Sequence, residues 1–302
     1  SNGLEISQCY RLGIAQGGDP RVISGLQDNG TMYLNEGSWT HVQGADGMEA
    51  FVHPTDNSIL YASTQYGGLY KSSNGGSTFA WTGSGIVEDG VWTVPWEMSS
   101  SNSETLFVGF QNVWRTTNGG TNWQILSTDI SSPIHVIALC PSGEERMFAS
   151  SSGTLYRTDN DGSSWEDISD GLPNLFISDI LTHPTDIDQV WACFSGYESD
   201  QKVYFSSDGG NNWENIGGGL PNIPTNCLAF DESENTVYIG TDFGVYIQHP
   251  ALANWQAFTT NLPNVIVNEL EIDTISDRIY AATFGRGIWS SNLYSGVESL
   301  PI

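Results

Sequence analysis

The chain has 302 residues, and nine Lys and Arg face thirty-five Asp and Glu, for a formal charge of −26. Such a surface repels phosphate backbones and anionic lipid, which argues against nucleic-acid and peripheral membrane binding; it serves solubility or the attraction of cations. No apolar run is long enough to insert in a bilayer, and the four cysteines, Cys9, Cys140, Cys193 and Cys227, lack metal-ligand spacing, so neither a metal nor a cofactor is expected.

In chain order, strand-like segments rich in aromatic and β-branched residues follow one another with no sustained helical period. They group into units at about 5–42, 48–83, 91–127, 134–169, 177–217, 225–261 and 267–292. Four units carry one phrase. It reads Ser72-Ser73-Asn74-Gly75-Gly76-Ser77-Thr78-Phe79, Thr116-Thr117-Asn118-Gly119-Gly120-Thr121-Asn122-Trp123, Thr158-Asp159-Asn160-Asp161-Gly162-Ser163-Ser164-Trp165 and Ser206-Ser207-Asp208-Gly209-Gly210-Asn211-Asn212-Trp213. The starts lie 44, 42 and 48 residues apart. A period in the forties with strand-like flanks predicts an all-β, seven-bladed propeller of four-stranded antiparallel blades, one closed domain over residues 1–292 with 293–302 as a tail or linker. In each phrase glycine supplies a positive φ. The Asn or Asp side chain and the hydroxyl bond the turn's own backbone, and the aromatic tucks the hairpin onto the blade. Asn74, Asn118, Asn160 and Asp208 are therefore expected to be structural.

The first unit has Asn35-Glu36-Gly37-Ser38-Trp39 in place of the phrase, and the sixth His249-Pro250-Ala251-Leu252-Ala253-Asn254-Trp255. The seventh shows three strands. Its fourth is expected from Ser1–Glu5, from Val297–Ile302 or from sequence outside this chain. Aromatics recur on second strands at Tyr61, Phe107, Phe148, Trp191, Tyr238 and Tyr280 as packing between blades, and the cysteines read as small core residues, with a Cys193–Cys227 bridge as a lesser alternative.

The phrase resembles the Asp-box, or BNR, repeat of sialidases, sortilin-type receptors, photosystem II assembly factors and xyloglucan-specific endoglucanases. The openings Gly25-Leu26-Gln27-Asp28-Asn29-Gly30-Thr31 and Gly44-Ala45-Asp46-Gly47-Met48-Glu49, with Tyr280-Ala281-Ala282-Thr283-Phe284-Gly285-Arg286-Gly287-Ile288-Trp289 at the close, look like secreted Bacteroidetes propellers. The resemblance implies a secreted or cell-surface location, further domains on the same polypeptide and a C-terminal type IX sorting domain. It implies fold and not activity.

Candidate ligand residues follow from aligning the inner strands on His53, Trp96, Cys140, His183, Phe230 and Ile272. Four residues earlier stand Glu49, Trp92, Val136, Asp179, Asn226 and Asn268, with His135 beside the one apolar member. Polar groups around a concave mouth form the default site, and Trp92 and Tyr197 offer faces for a sugar ring. The same residues also suit a water-filled channel. Among enzyme readings, a sialidase needs three convergent arginines, whereas only Arg11, Arg21 and Arg286 can approach the mouth. A glycoside hydrolase needs two carboxylates about 5 Å or about 6.5–9.5 Å apart; Glu49 and Asp179 are the candidates, with Asp46 as substitute. The xyloglucanases that the chain resembles form their cleft between two propellers, one carboxylate from each. The reading is a non-catalytic recognition or scaffold propeller that binds a neutral glycan or a protein at the mouth. The alternative is a glycoside hydrolase or one half of one.

Overall fold

A computed structural model describes residues 6–16, 21–127, 130 and 133–296. Six antiparallel sheets of four strands and one of three follow one another, each with its strands in chain order. The inner strands are Cys9–Ile14, Gly47–Val52, Trp96–Met98, Val136–Leu139, Ile177–Thr182, Thr225–Asp231 and Val267–Asp273. Successive sheets pack face to face, and the inner strand of the seventh returns to that of the first. The chain is a seven-bladed β-propeller.

The core is divided into seven wedges, one per blade interface. The wedge between blades four and five holds Val136, Phe148 and Leu155 against Ile177, Ile180 and Val190. The wedge that closes the ring sets Cys9, Leu12 and Val22 against Ala282, with Tyr280 and Ile288 at its margin. Second strands face a wedge on each side, so Leu60–Thr64, Met147–Ser151 and Val190–Phe194 are buried throughout. This is why they read as continuous apolar or small runs rather than as alternating strands. The recurrent second-strand aromatics Tyr61, Phe107, Phe148, Trp191 and Tyr238 are all buried in these wedges. All four cysteines are buried and unbridged, including Cys193 and Cys227.

Among the described residues blade seven has three strands, Val267–Asp273, Arg278–Thr283 and Gly287–Asn292. Both segments of this chain considered for its fourth strand, 1–5 and 297–302, lie outside the described residues.

Candidate functional site

Five of the seven inner strands carry a bulge at one place. Their pairing with the second strand slips between Cys9 and Arg11, Gly47 and Ala50, Ile177 and Asp179, Thr225 and Cys227, and Val267 and Glu269. A bulge inserts one residue and so changes which side chains face the axis. In three of these blades the inserted residue turns sideways and ties its blade to the next. The Ser178 hydroxyl donates to the Thr225 carbonyl at 2.6 Å, the Asn226 amide to the Val267 carbonyl at 3.1 Å, and the Asn268 amide to the Cys9 carbonyl at 2.8 Å. Asn226 also donates to the Asp242 carboxylate at 3.1 Å. Both asparagines of the predicted ring are thus engaged as seams between blades.

In four of these blades the residue after the bulge lines the axial channel. The registers align Arg11, Asp179, Cys227 and Glu269 at one level, and Glu49, which lies within the blade-two slip and accepts from the Ser63 hydroxyl through its carbonyl, joins them in the channel wall. Two residues further along, on the same face, stand Glu97 and Glu271. The channel has a volume of about 230 Å³ and contains Arg11, Glu49, Glu97, His135, Asp179, Glu269 and Glu271 among its walls. The sequence alignment reached Glu49 and Asp179 but placed the sixth and seventh blades one residue early. It also put Trp92 on a strand that begins only at Trp96.

One guanidinium serves this acidic lumen. Arg11 lies 3.3 Å from Glu49 and 3.9 Å from Glu269, and it donates to the Asn268 carbonyl at 3.2 Å. Glu269 also accepts from the Leu12 amide. Asp179 spends both oxygens on backbone, accepting from Ile180 and Leu228 at 2.8 Å each. Burial in the narrow lumen disfavours charge, raising Glu97 and Glu271 to about 8 and Asp179 to about 6. For Glu97 the neighbouring Glu271 and Asp179 add repulsion. Burial raises Glu49 and Glu269 as well, and Arg11 only partly opposes it. Burial also works against charge on Arg11, but Glu269, Glu49 and Asp179 outweigh it and hold the guanidinium above its ordinary range. Among the described residues no group of three or more His, Cys, Asp or Glu is arranged to hold a metal ion.

Above the channel the character changes from acidic to aromatic. In an antiparallel blade the loops from second to third strand and from fourth strand to the next blade share one face. On that face Tyr66, Trp92, Phe176, Tyr197 and Phe243 are exposed. Trp92 keeps 39 % of its surface in solvent. Its ring meets Tyr66 edge-on at 5.2 Å and Tyr10 edge-on at 6.5 Å, and Tyr10 leans on Phe284 at 5.6 Å. Tyr66 occupies the left-handed region, at φ 62°, and its amide donates to the Trp92 carbonyl at 3.2 Å. A tyrosine there is uncommon, and the contact with Trp92 helps fix it. Across the mouth His135 meets Phe176 edge-on at 5.0 Å, and burial holds this imidazole below its ordinary pKa. Tyr197 projects into solvent from its loop. The side-chain amides of the corresponding loop in blade three are engaged, for Gln111 donates to the Asp89 carbonyl and Asn112 to the Glu88 carboxylate. Tyr10, Tyr66 and Phe176 were absent from the sequence candidates because their aromatic character does not repeat: the place of Tyr10 is taken by Ser178, Asn226 and Asn268 in other blades, and that of Phe176 by Pro224 and Ile266.

The repeated phrases lie on third-to-fourth-strand hairpins at the other end of the blades. Each builds the same network. The Asn118 side chain accepts from the Thr116 hydroxyl at 2.8 Å and the Asn122 amide at 2.9 Å, while Thr116 accepts from the Gly120 amide at 3.1 Å. Asn74, Asn160 and Asp208 repeat this with Ser72 and Thr78, with Thr158 and Ser164, and with Ser206 and Asn212. Bonds from Asn212 and Ser206 pull Asp208 down to about 2. None of the four residues reaches the channel or the aromatic mouth.

Comparison with known proteins adds fold-level relationships. The model of the Sortilin-Vps10 family, described as sortilin, neurotensin receptor 3, matches residues 111–247. No curated protein matches the chain. The GH74 xyloglucanase from Xanthomonas campestris is similar over 97 % of this chain and 53 % of its own, at 14 % identity and a TM-score of 0.74. YCF48 bound to D1 peptide aligns over 96 % and 94 %, at 13 % identity and a TM-score of 0.72. The extracellular domain of a protein described as a one-component system of B. thetaiotaomicron aligns over 96 % and 39 %, at 18 % identity and a TM-score of 0.72. At these identities the likeness is one of fold. The chain spans about half the length of the GH74 chains it resembles.

Proposed function

We propose that this chain is a recognition domain of a larger extracellular protein, an Asp-box propeller that holds a neutral glycan on the aromatic rim of its mouth. The observation that carries this reading is Trp92, half open to solvent and braced edge-on by Tyr66 and Tyr10. A braced indole presents an apolar face at little further cost in side-chain ordering, and a pyranose ring has the matching face. The channel supports the same reading from the other side. A hydrolytic pair needs carboxylate oxygens aimed at substrate, whereas Asp179 gives both of its oxygens to amides and Glu49 faces Arg11. Extracellular placement draws support from the B. thetaiotaomicron domain, and export as type IX cargo belongs to the same proposal.

Affinity electrophoresis in gels containing xyloglucan and other plant and algal polysaccharides tests this. The expected outcome is retardation of the native chain, loss of it in Trp92→Ala with an unchanged melting temperature, and no release of reducing ends. Reducing ends that disappear in a Glu49→Gln/Asp179→Asn double variant would instead establish a hydrolase. Because the chain spans about half of the GH74 chains, a second reading is one half of a hydrolase completed by another propeller. Activity that appears only on adding such a partner, and disappears in the double variant, would favour it.

A further inference from the structure

Tyr66 breaks a rule that its counterparts keep. Among the described residues ten that are not glycine lie in the left-handed region, and Tyr66 is the one aromatic among them. In the other loops between second and third strands the same region is taken by Asp28, Ser152 and Asp200, at φ 59°, 49° and 60°. A short polar side chain tolerates it, whereas a bulky one there is a strained outlier. Burial of the ring would offset the strain, but Tyr66 is 59 % exposed. Among the described residues its ring meets only Trp92, and its hydroxyl makes no hydrogen bond.

The backbone of this tip is fixed by its neighbours, whatever side chain it carries. The Gln65 side-chain oxygen accepts from the Asp46 amide at 3.2 Å, and the Tyr66 amide donates to the Trp92 carbonyl at 3.2 Å. Gly67, at φ 87°, is pressed on the ring of Phe110, where a Cβ would collide. From the facing loop, a Cβ on Gly90 would stand 3.2 Å from the Tyr66 carbonyl oxygen. Three segments therefore impose the left-handed conformation at position 66, and packing makes little use of the side chain placed there. Strain that is retained without a packing return points to a role in contact with a ligand.

The geometry shows what that side chain offers. The rings of Tyr66 and Trp92 stand at 89° with centroids 5.2 Å apart, so together they form a corner. A sugar ring stacked on the indole turns its rim of hydroxyls toward the wall of the corner, and a phenol meets such a rim with both an apolar face and a hydrogen-bonding tip. Tyr10, on another side of Trp92, has its hydroxyl engaged by the Gln27 side chain at 2.7 Å.

We propose that Tyr66 is a glycan-contacting residue, its ring and hydroxyl set beside Trp92 by a hairpin tip whose strain serves binding and not folding; this rests on the glycan reading of the mouth. The test pairs melting with affinity electrophoresis in gels of three neutral glucans: xyloglucan, mixed-linkage β-glucan and laminarin. Tyr66→Asn removes the ring and supplies a residue suited to the left-handed region. It should melt no lower than the native chain, or up to about 2 °C higher. Its binding should be at least about tenfold weaker. Tyr66→Phe keeps the ring against Trp92 and removes only the hydroxyl; it should melt as the native chain does and bind about two- to tenfold more weakly. Melting lower by about 3 °C or more in Tyr66→Asn would show that the ring is kept for packing. Undiminished binding in either variant would show a bystander or a mere brace for Trp92. Each of these results overturns the proposal while leaving the glycan reading in place. Retardation of the native chain by none of the three glucans overturns that reading, and the proposal with it.

Discussion

At the periphery, Asn118 receives the Thr116 hydroxyl and the Asn122 amide within seven residues of chain. At the axis, Glu49 of blade two and Glu269 of blade seven share one guanidinium, Arg11 of blade one. The outer hairpins satisfy their polar groups locally, so each blade can complete its own turn. The channel satisfies its groups only when the ring is closed, because the partners come from different blades. The same residue types therefore act as independent staples in one region and as a collective, strained charge system in the other.

The strongest way to break this comparison is to remove the shared cation. Arg11→Met should destabilise the chain by about 3 kcal/mol, the lower end of the range for broken buried pairs. The loss should be greater at pH 8 than at pH 5, where more of the carboxyl groups are neutral. Urea denaturation at the two pH values checks this, and equal losses would show that the carboxylates do not depend on Arg11.

Titration sharpens the contrast without substitution. Glu97 and Glu271 hold their protons up to about pH 8 in the folded chain and Asp179 up to about pH 6. The folded state therefore binds more protons than the unfolded one between about pH 4 and 8, and stability falls as pH rises through that window. Their contribution is fully present below the unfolded carboxyl range and is lost as pH passes through the folded values. A Glu97→Gln/Glu271→Gln variant should flatten the slope, measured by melting temperature from pH 5 to 9.

Smaller effects separate seam from hairpin. Asn268→Ala removes the bond to the Cys9 carbonyl that links the last blade to the first, and should cost about 1–2 kcal/mol in urea denaturation. Asn118→Ala, which breaks one exposed turn, should cost about 1 kcal/mol in the same assay. Asp208→Asn should be nearly neutral in melting temperature, because asparagine already fills that place in the other three hairpins.

The periphery was also the legible part of the sequence. Its phrase repeats because each copy folds on itself, so the pattern of Ser72, Asn74 and Gly76 carries its whole explanation in a few residues. The hub was legible only in part. Glu49 and Asp179 were found by their distance from an aligned strand residue, but in blades six and seven the apolar anchors Phe230 and Ile272 stand one residue before Asp231 and Asp273, the register equivalents of His183, so the count stopped at Asn226 and Asn268 and missed Glu269. The aromatic mouth was the least legible. Trp92 stood out as an off-period tryptophan, whereas the partners that brace it, Tyr66 and Tyr10, come from other blades and share no local pattern with it.

The four buried cysteines make the chain its own recorder of local opening. Burial pushes the Cys9 thiol up to about 11 and Cys140 to about 12, and it raises Cys193 and Cys227 as well. Native thiols so placed are almost unreactive, and modification requires exposure. Cys9 belongs to blade one, Cys140 to blade four, Cys193 to blade five and Cys227 to blade six. Pulsed alkylation followed by peptide mass mapping would therefore read the order in which these sectors come apart, with no label introduced by mutation.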